Sequence, residues 1–444
     1  METVTARPRG IPATTNVLAL LCAMYFINYI VRVNVSTAAA VFGPELHLTN
    51  TQVGLIFSAF AYPYLAFQVA GVWVADKFGA RRSLTVFAII WSSATVLMGL
   101  ANSLSGLVLG RVLLGIGVSA LPVATRAMSN WMPAEKRGFA QGITHAFARL
   151  GNALTPPLVA WLILLVSWRG SFVVIGSISF IWAVLWGIYF RDDPAEHSGI
   201  TQYDLERLPK KRAKTMARVP FARLAVRMMP VTLVYFCYGW TLWFFLAWIP
   251  QYFLHSYNLK LSSSALFASG VFLGGTCGDF LGGIVSDRIF ERTHSRTKAR
   301  RNIIIFGFLM STVFMAPVLM VHDLTVIVLS LSLAFFFAEF TVGAFWAIPM
   351  DIAPRYSGFA SGFMNSGSAL AAIVSPLIGG MIIDRTGKWE MTFVAGIALL
   401  LLGAILAFWM KPDDELEDPA DGERVVTPMP TSPSIAAAAS PGRP

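Results

Sequence analysis

The sequence predicts an all-α membrane protein of twelve transmembrane helices, arranged as two six-helix bundles related by pseudo-symmetry. Three observations predict this fold class: an apolar composition, a series of apolar runs long enough to span a membrane, and an internal repeat. Of the 444 residues, 56% are hydrophobic and 13% are charged, and the mean hydropathy is +0.63. Soluble chains have roughly 25% charged residues, so we expect lipid to be the main solvent of this chain.

The apolar runs define the expected spans. A helix needs about 20 apolar residues to cross the hydrocarbon core, because every backbone amide must find its partner within the segment. We number the predicted spans 1 to 12 in chain order. They cover residues 15–40, 53–75, 83–101, 105–128, 139–164, 170–190, 230–254, 264–286, 302–321, 324–350, 358–382 and 391–410.

An internal repeat relates the two halves of the chain. The segment Gly138-Phe-Ala-Gln-Gly142 recurs as Gly358-Phe-Ala-Ser-Gly362, at an offset of 220 residues. Other pairs at this offset or one residue more are Pro156 and Pro376, Trp168 and Trp389, and Phe172 and Phe393. Secondary transporters are often built from such repeats and bind their substrates near the midplane between the halves.

The distribution of basic residues predicts the orientation. An even number of spans puts both termini on one side, and Lys and Arg accumulate in cytoplasmic loops. Loops on the side of the termini are rich in Lys and Arg, notably at 191–227 and 288–301, whereas the opposite loops are poor in them. We therefore predict a multi-pass protein of the inner membrane with both termini cytoplasmic. The net charge of +10 then reflects topology, and no nucleic-acid partner is expected.

Composition also divides the chain. The stretch 191–229 is polar and basic and lies near the midpoint, and the acidic, Pro- and Ala-rich end of the chain has no hydrophobic periodicity. The expected units are a cytoplasmic tail 1–14, an N-terminal bundle 15–190, a cytoplasmic linker loop 191–229, a C-terminal bundle 230–410 and a disordered cytoplasmic tail 411–444. We expect no metal, no cofactor and no enzymatic activity, since no metal-ligand spacing, nucleotide-binding loop or catalytic constellation is present.

Several motifs carry a family resemblance. Span 2 ends in Gly71-Val-Trp-Val-Ala-Asp76-Lys77-Phe-Gly79-Ala-Arg81-Arg82, and span 8 ends in Gly283-Ile-Val-Ser-Asp287-Arg288. More specific segments are Asn28-Tyr29-Ile-Val-Arg32-Val-Asn34, Trp131-Met-Pro133-Ala-Glu-Lys-Arg137, Tyr189-Phe-Arg191-Asp192-Asp193-Pro194 and Trp346-Ala-Ile-Pro349-Met-Asp351-Ile-Ala-Pro354. With them the chain resembles the major facilitator superfamily, and within it the anion:cation symporter family of galactonate, glucarate and hexuronate permeases and the sialin group.

The resemblance implies a secondary transporter that moves a small organic anion, such as a sugar acid, dicarboxylate or aromatic carboxylate, by alternating access. Its implied partners are that anion, H⁺ or Na⁺ as the coupling ion, and the lipid bilayer, and we expect a monomer. An organic-anion or organophosphate exchanger or facilitator is the alternative within transport. A transporter-like membrane sensor is the alternative of another class.

The charged residues that follow spans 2 and 8 are the candidate conformational latch. An aspartate beside basic residues at a helix end can hold the two halves together and release them when they rock. The alternative is that these residues only anchor the orientation. The set comprises Asp76, Lys77, Gly79, Arg81, Arg82, Asp287 and Arg288.

The candidate substrate contacts centre on Arg32. Ionisable residues inside spans are costly and are therefore functional candidates. The resemblance implies that Arg32 grips the substrate carboxylate and that Tyr29 and Tyr64 hydrogen-bond the ligand. A guanidinium suits this task because its planar fork pairs with both oxygens. The alternatives are a structural arginine and two packing tyrosines.

Further candidates lie in both halves. Arg149 stands where relatives have a neutral polar residue, and a second guanidinium facing the cavity would favour a dianion. A buried salt bridge between Arg149 and Glu339 is the competing explanation. The resemblance implies ligand contacts by Trp346 and Asn365, and the repeat relates Asn365 to His145.

The coupling ion is the least determined feature. The resemblance leads us to expect acids immediately before Arg32 and seven residues after Arg111, but Val31 and Val118 occupy these positions. Either coupling has moved to another buried acid, for which Glu339 is the best candidate, or transport is facilitated, sodium-linked or an exchange. Arg111 is the second coupling candidate. We assign Asp279 mainly to the latch region, and a coupling site is the alternative.

Overall fold

The computed structural model describes residues 13–133, 136–208 and 220–416, without the side chains of residues 68–73, 75, 76, 122 and 355. The described chain is helical and contains no strand. The helices, in chain order, are α1 (Ala13–Glu45), α2 (Asn50–Ala59), α3 (Ala61–Leu100), α4 (Leu104–Gly117), α5 (Leu121–Trp131), α6 (Arg137–Tyr189), α7 (Gln202–Arg207), α8 (Phe221–Ser256), α9 (Leu261–Thr293), α10 (Asn302–Met315), α11 (Leu324–Glu339), α12 (Val342–Ile352), α13 (Ser357–Thr386) and α14 (Met391–Leu406).

Ten helical segments within these residues are long and apolar enough to cross a membrane. One of them, α6, has 53 residues, about 80 Å of helix against a hydrocarbon core of roughly 30 Å. Its backbone leaves the helical region at Ser167 (φ 74°, ψ 169°), and that of α3 does so at Gly79 (φ 80°, ψ 163°). The chain therefore changes direction inside both helices.

The two halves meet at the end of the molecule opposite to the termini, which we call the far side. There α2 packs against α13, and α6 against α9. A Cβ on Gly54 would come closer than 3.0 Å to the carbonyl oxygen of Pro376, and one on Gly380 closer than 3.0 Å to that of Asn50. Only glycine permits this approach of two backbones, so the far side is closed.

The halves are apart on the side of the termini, where α1 begins and α14 ends. The repeated glycines Gly138 and Gly142 at the start of α6, and Gly358 and Gly362 at the start of α13, have no atom within 4 Å of an ideal Cβ. The same two helices contact the opposite half farther along. The cleft between the halves therefore opens toward the termini.

Two predicted boundaries differ from the structure. The linker ends earlier than residue 229, because α8 begins at Phe221. The expected disordered tail is wrong for its first residues, 411–416: the Asp413 carboxylate accepts the Arg296 N–H (2.9 Å), and the Leu416 N–H donates to the Ile352 carbonyl (2.8 Å). The expectations for residues 1–12, 209–219 and 417–444 lie outside the described residues.

Candidate functional site

Two helices are interrupted beside the cleft, one in each half. In the N-terminal half, α4 ends at Gly117 and a 3₁₀ turn, Val118–Ala120, leads into α5. In the C-terminal half, α11 ends at Glu339 and α12 begins at Val342. Both α5 and α12 have 11 residues and start 221 positions apart, so they are repeats of one another. Interrupted helices of this kind form substrate and ion sites in transporters.

Arg32 lies against the interruption of the N-terminal half. Its Nη2 donates to the Val118 carbonyl (3.0 Å), and its guanidinium carbon lies 5.0 Å from the ring centre of Tyr29 and 4.8 Å from that of Tyr64. Its Nε is buried and has no hydrogen-bond partner. An unpaired donor on a buried guanidinium is costly, and the two rings hold the group in place. The structure thus brings Arg32, Tyr29 and Tyr64 together and leaves the Nε donor of Arg32 unpaired.

A small cavity separates Arg32 from the closed far side. Its lining includes Arg32, Phe60, Trp243 and Pro376. The Phe60 ring of the N-terminal half lies 5.3 Å from the Trp243 ring of the C-terminal half. We did not predict this aromatic pair from the sequence, because aromatic residues of a binding site and aromatic residues of a packed core follow the same pattern in a single sequence.

Arg149 reaches across the cleft to two acids of the C-terminal half. Its Nε lies 2.9 Å from Asp279 Oδ2, and its Nη1 lies 2.9 Å from Glu339 Oε2. The Tyr238 hydroxyl donates to Glu339 Oε1 (2.8 Å). Glu339 is 1% exposed, whereas Arg149 and Asp279 are 18% and 23% exposed, so the cluster is accessible from the Arg149 side. In this conformation Arg149 forms the ion pair with Glu339 that we weighed against substrate binding.

Asp279, which we assigned mainly to the latch region, pairs through its carboxylate with Arg149 of the opposite half. The predicted end of span 8 at residue 286 was too early: α9 continues to Thr293, which adds two helical turns. Asp279 therefore lies farther from the helix end than expected. Tyr238 was missed because a tyrosine in an aromatic span has the pattern of a packing residue.

Arg111 was a coupling candidate, and its surroundings are those of a structural arginine. Its Nε donates to the Ile56 carbonyl (3.1 Å), Nη1 to that of Arg32 (3.2 Å) and Nη2 to that of Phe57 (3.0 Å). Its guanidinium also lies 4.5 Å from the ring centre of Phe60. The side chain therefore joins α1, α2 and α4.

The remaining candidates line the two sides of the cleft. The His145 ring is exposed one turn before Arg149 and lies 5.7 Å from the Tyr25 ring. Trp346 is exposed on α12, with its ring centre 6.5 Å from that of Tyr235. Asn365 is partly buried on α13. The structure thus distributes these side chains over both halves.

The described latch residues of the N-terminal half make contacts within that half. The Asp192 carboxylate accepts the N–H groups of Ala80 (2.6 Å) and Arg81 (3.0 Å), directly after the break at Gly79. The Lys77 ammonium lies 5.3 Å from the Phe78 ring. Arg82 is exposed, and the side chain of Asp76 lies outside the description.

The described latch residues of the C-terminal half behave in the same way. Arg300 lies 3.3 Å from Asp287 and 3.1 Å from Asp351, both on its own half, and Arg288 is exposed. Contacts within each half agree with a cleft that is open on this side. The latch itself stays a prediction.

Comparison with known proteins identifies the class of protein. The Major Facilitator Superfamily model matches residues 21–376 and 295–441, so the chain belongs to this superfamily, and the resemblance seen in its motifs is confirmed. The members it resembles are named as transporters, and the chain is not an enzyme.

Individual relatives within and beyond this group give a more specific comparison for the chain. The chain is 45% identical over 401 residues to the probable sulfoacetate transporter SauU of Cupriavidus necator (89% of this chain, 93% of the relative). It is 29% identical over 392 residues to the hexuronate transporter of Bacillus subtilis (86% and 91%). The fold is similar to that of a bacterial homologue of the human lysosomal transporter Spinster, solved in an inward-facing, unoccupied conformation (TM-score 0.75, 18% identity, 90% and 97% covered).

Proposed function

We propose that this protein is a secondary transporter that carries a small organic anion across the inner membrane, and that its preferred cargo carries two anionic groups. The observation that carries the proposal is Arg32: a buried guanidinium, held between two tyrosine rings, whose Nε has no hydrogen-bond partner. Such a group favours a carboxylate or sulfonate, because charge-assisted hydrogen bonds to its fork are strong and directional.

The second anionic group of the cargo would meet Arg149. Tyr29 interacts electrostatically with both Arg32 and Arg149, so this ring lies within range of both guanidinium groups. Sulfoacetate, the substrate in the name of the relative SauU, has a carboxylate and a sulfonate and matches two such positions. We therefore propose sulfonated carboxylates as the preferred substrates, followed by dicarboxylates and sugar acids.

Alternating access follows from the architecture. We count twelve spans, because α2 with the first part of α3 crosses once and the two parts of α6, on either side of Ser167, cross separately. The basic loops support cytoplasmic termini, and in that orientation a cleft open toward the termini faces inward. The units are then an N-terminal bundle, a linker and a C-terminal bundle that rock about the site.

Ion-coupled symport is favoured over exchange. We considered exchange because Val31 and Val118 would leave the cleft arginines without compensating acids. Arg149, however, pairs with Asp279 and Glu339 in the absence of any ligand. An empty carrier of this kind has no unpaired charge at Arg149 to prevent its return, so Arg149 gives no electrostatic reason for obligatory exchange.

The test is uptake of labelled sulfoacetate, dicarboxylates and sugar acids into proteoliposomes. We expect saturable uptake of a dianion, and a loss of about 3 kcal/mol, roughly a hundredfold in kcat/KM, in Arg32→Gln. Arg385→Gln, an exposed arginine of α13, is the matched control and should transport normally. Full uptake by Arg32→Gln, or no uptake of any anion in the panel by the unaltered protein, would contradict the proposal.

A further inference from the structure

We propose that Asp279 and Glu339 bind the coupling proton, and that the second anionic group of the cargo triggers this binding by drawing Arg149 away from them. This inference rests on the proposed function and extends it to the coupling step. It is carried by the geometry of one cluster and by the repeat that places it.

The cluster has an unbalanced charge. One guanidinium lies between two carboxylates at 2.9 Å each, so one cation faces two anions. The Tyr238 hydroxyl adds one neutral hydrogen bond to Glu339. Uncompensated charge in the low-dielectric interior is expensive, and a single proton on either carboxyl group makes the cluster neutral.

Among the described residues, the other titratable groups that interact directly with Arg149, Asp279 or Glu339 supply no second fixed positive charge. His145 on α6 lies close enough to interact with Arg149 and Asp279. Tyr29 on α1 and Tyr235 and Tyr238 on α8 interact with Arg149 or Glu339. Tyrosines are neutral near pH 7, so among the described residues only His145 could add charge, and only below neutral pH.

The repeat supports a dedicated role for Glu339. The offset of 221 that brings α5 onto α12 also brings Val118 onto Glu339 and Pro133 onto Pro354. In the N-terminal half, a guanidinium from α1 reaches the carbonyl of Val118 at the helix interruption. In the C-terminal half, a guanidinium from α6 reaches the carboxylate of Glu339 at the equivalent interruption. An arginine of the N-terminal half thus contacts each of the two interruptions, and only the interruption of the C-terminal half adds a group that can hold a proton.

Substrate and proton binding are then linked. When the dianion pairs with Arg149, Asp279 and Glu339 lose their counterion while they remain close together. Two neighbouring carboxylates cannot both stay ionised at low cost, so each takes up a proton more readily than before. Linkage is reciprocal: protonation of the acids frees Arg149 and strengthens binding of the dianion. A monoanion that engages Arg32 alone leaves the cluster intact and draws in no proton.

The first measurement uses the unaltered protein. Purified protein in weakly buffered detergent solution near pH 7, with a pH-indicator dye, should take up protons when sulfoacetate is added, and none when the monoanion glycolate is added. Absence of proton uptake while sulfoacetate binds would overturn the inference. Absence of sulfoacetate binding and counterflow, by contrast, counts against the proposed function.

The second measurement separates coupling from binding. In Glu339→Gln proteoliposomes, accumulation of sulfoacetate driven by a pH gradient should fall tenfold or more, whereas counterflow, which needs no net proton movement, survives at a reduced rate. Asp279→Asn should behave similarly. The matched control is Glu291→Gln, because Glu291 is an exposed acid on the same helix as Asp279. This variant should accumulate sulfoacetate normally.

A variant that is inactive in both assays is resolved by a conservative change. Glu339→Asp keeps the carboxyl group and should recover part of the pH-driven accumulation. Undiminished pH-driven accumulation by Glu339→Gln, or no recovery by Glu339→Asp when Glu339→Gln is inactive, would overturn the assignment.

Discussion

Three arginines inside the membrane have different roles because their donors meet different acceptors. Arg111 gives Nε, Nη1 and Nη2 to backbone carbonyls. Arg32 donates one hydrogen bond to a backbone carbonyl, and its Nε has no partner. Arg149 gives its donors to carboxylates of the opposite half. The same side chain thus serves as a structural clamp, a candidate ligand grip and a bridge between halves.

This difference predicts separate consequences for Arg111 and Arg32. Arg111→Gln should leave at least two buried carbonyls without a donor and destabilise the fold by about 3 kcal/mol. Arg32→Gln should fold with little loss and fail to be stabilised by substrate. Thermal unfolding of the purified proteins, with and without sulfoacetate, measures both effects. Equal melting temperatures for Arg111→Gln and the unaltered protein would show that the carbonyl contacts contribute little.

Individual helix ends close the far side. The Asp384 carboxylate at the end of α13 accepts the N–H and side-chain N–H of Asn50 (3.0 and 2.9 Å) and the N–H and hydroxyl of Thr51 (2.7 and 2.6 Å). These donors lie at the N-terminus of α2, where the helix dipole favours an anion. A carboxylate of one half therefore caps a helix of the other.

We predict that Asp384→Asn weakens far-side closure. The amide can accept from fewer donors and carries no charge, so the closed state should lose about 2 kcal/mol, or roughly thirtyfold in the ratio of the two conformations. The measurement is the distance between two spin labels at the exposed far-side positions Ser105 and His322, one in each half. In Asp384→Asn we expect an additional population of molecules with a longer distance between the labels.

The control for this prediction is Asp323→Asn. Asp323 caps α11 through the Val326 N–H (3.0 Å), a contact within one half. The Asp323→Asn substitution should therefore leave the distance between the two spin labels unchanged. If Asp323→Asn and Asp384→Asn changed the distances equally, helix capping in general, and not the link between halves, would be responsible.

At the scale of the whole molecule, the two halves are hinged about a closed far side and an open side toward the termini. The glycines of the repeat, Gly138, Gly142, Gly358 and Gly362, face empty space in this conformation. In the opposite conformation the starts of α6 and α13 must approach the other half, as their far ends do here. Small residues at these positions would then be needed for close packing.

We therefore predict that Gly142→Leu and Gly362→Leu leave the stability of the present conformation within about 0.5 kcal/mol but slow transport at least tenfold, because the larger side chains obstruct closure on the side of the termini. Uptake rates and melting temperatures test this together. Gly270→Leu is the matched control, since Gly270 also has no neighbour within 4 Å but lies on α9, outside the repeated motif. Normal uptake by Gly362→Leu would rule out the predicted approach of the start of α13 to the opposite half.

The sequence by itself determined the membrane character, the duplicated plan and the superfamily, because these follow from local quantities: run length, composition and recurrence of short motifs. It also identified Arg32, Arg149 and Glu339 as the side chains of interest, since charge inside an apolar run is visible without coordinates.

Only the tertiary structure decided which of those charges meet. The pairing of Arg149 with Asp279 and Glu339 joins α6 to α9 and α11, whose two acids lie more than a hundred residues beyond Arg149 in the chain, and no periodicity encodes such a distance. The same holds for Asp384 at the start of α2 and for the enclosure of Arg111 by carbonyls. These contacts depend on how the two bundles pack against one another, and a one-dimensional pattern carries no information about that packing.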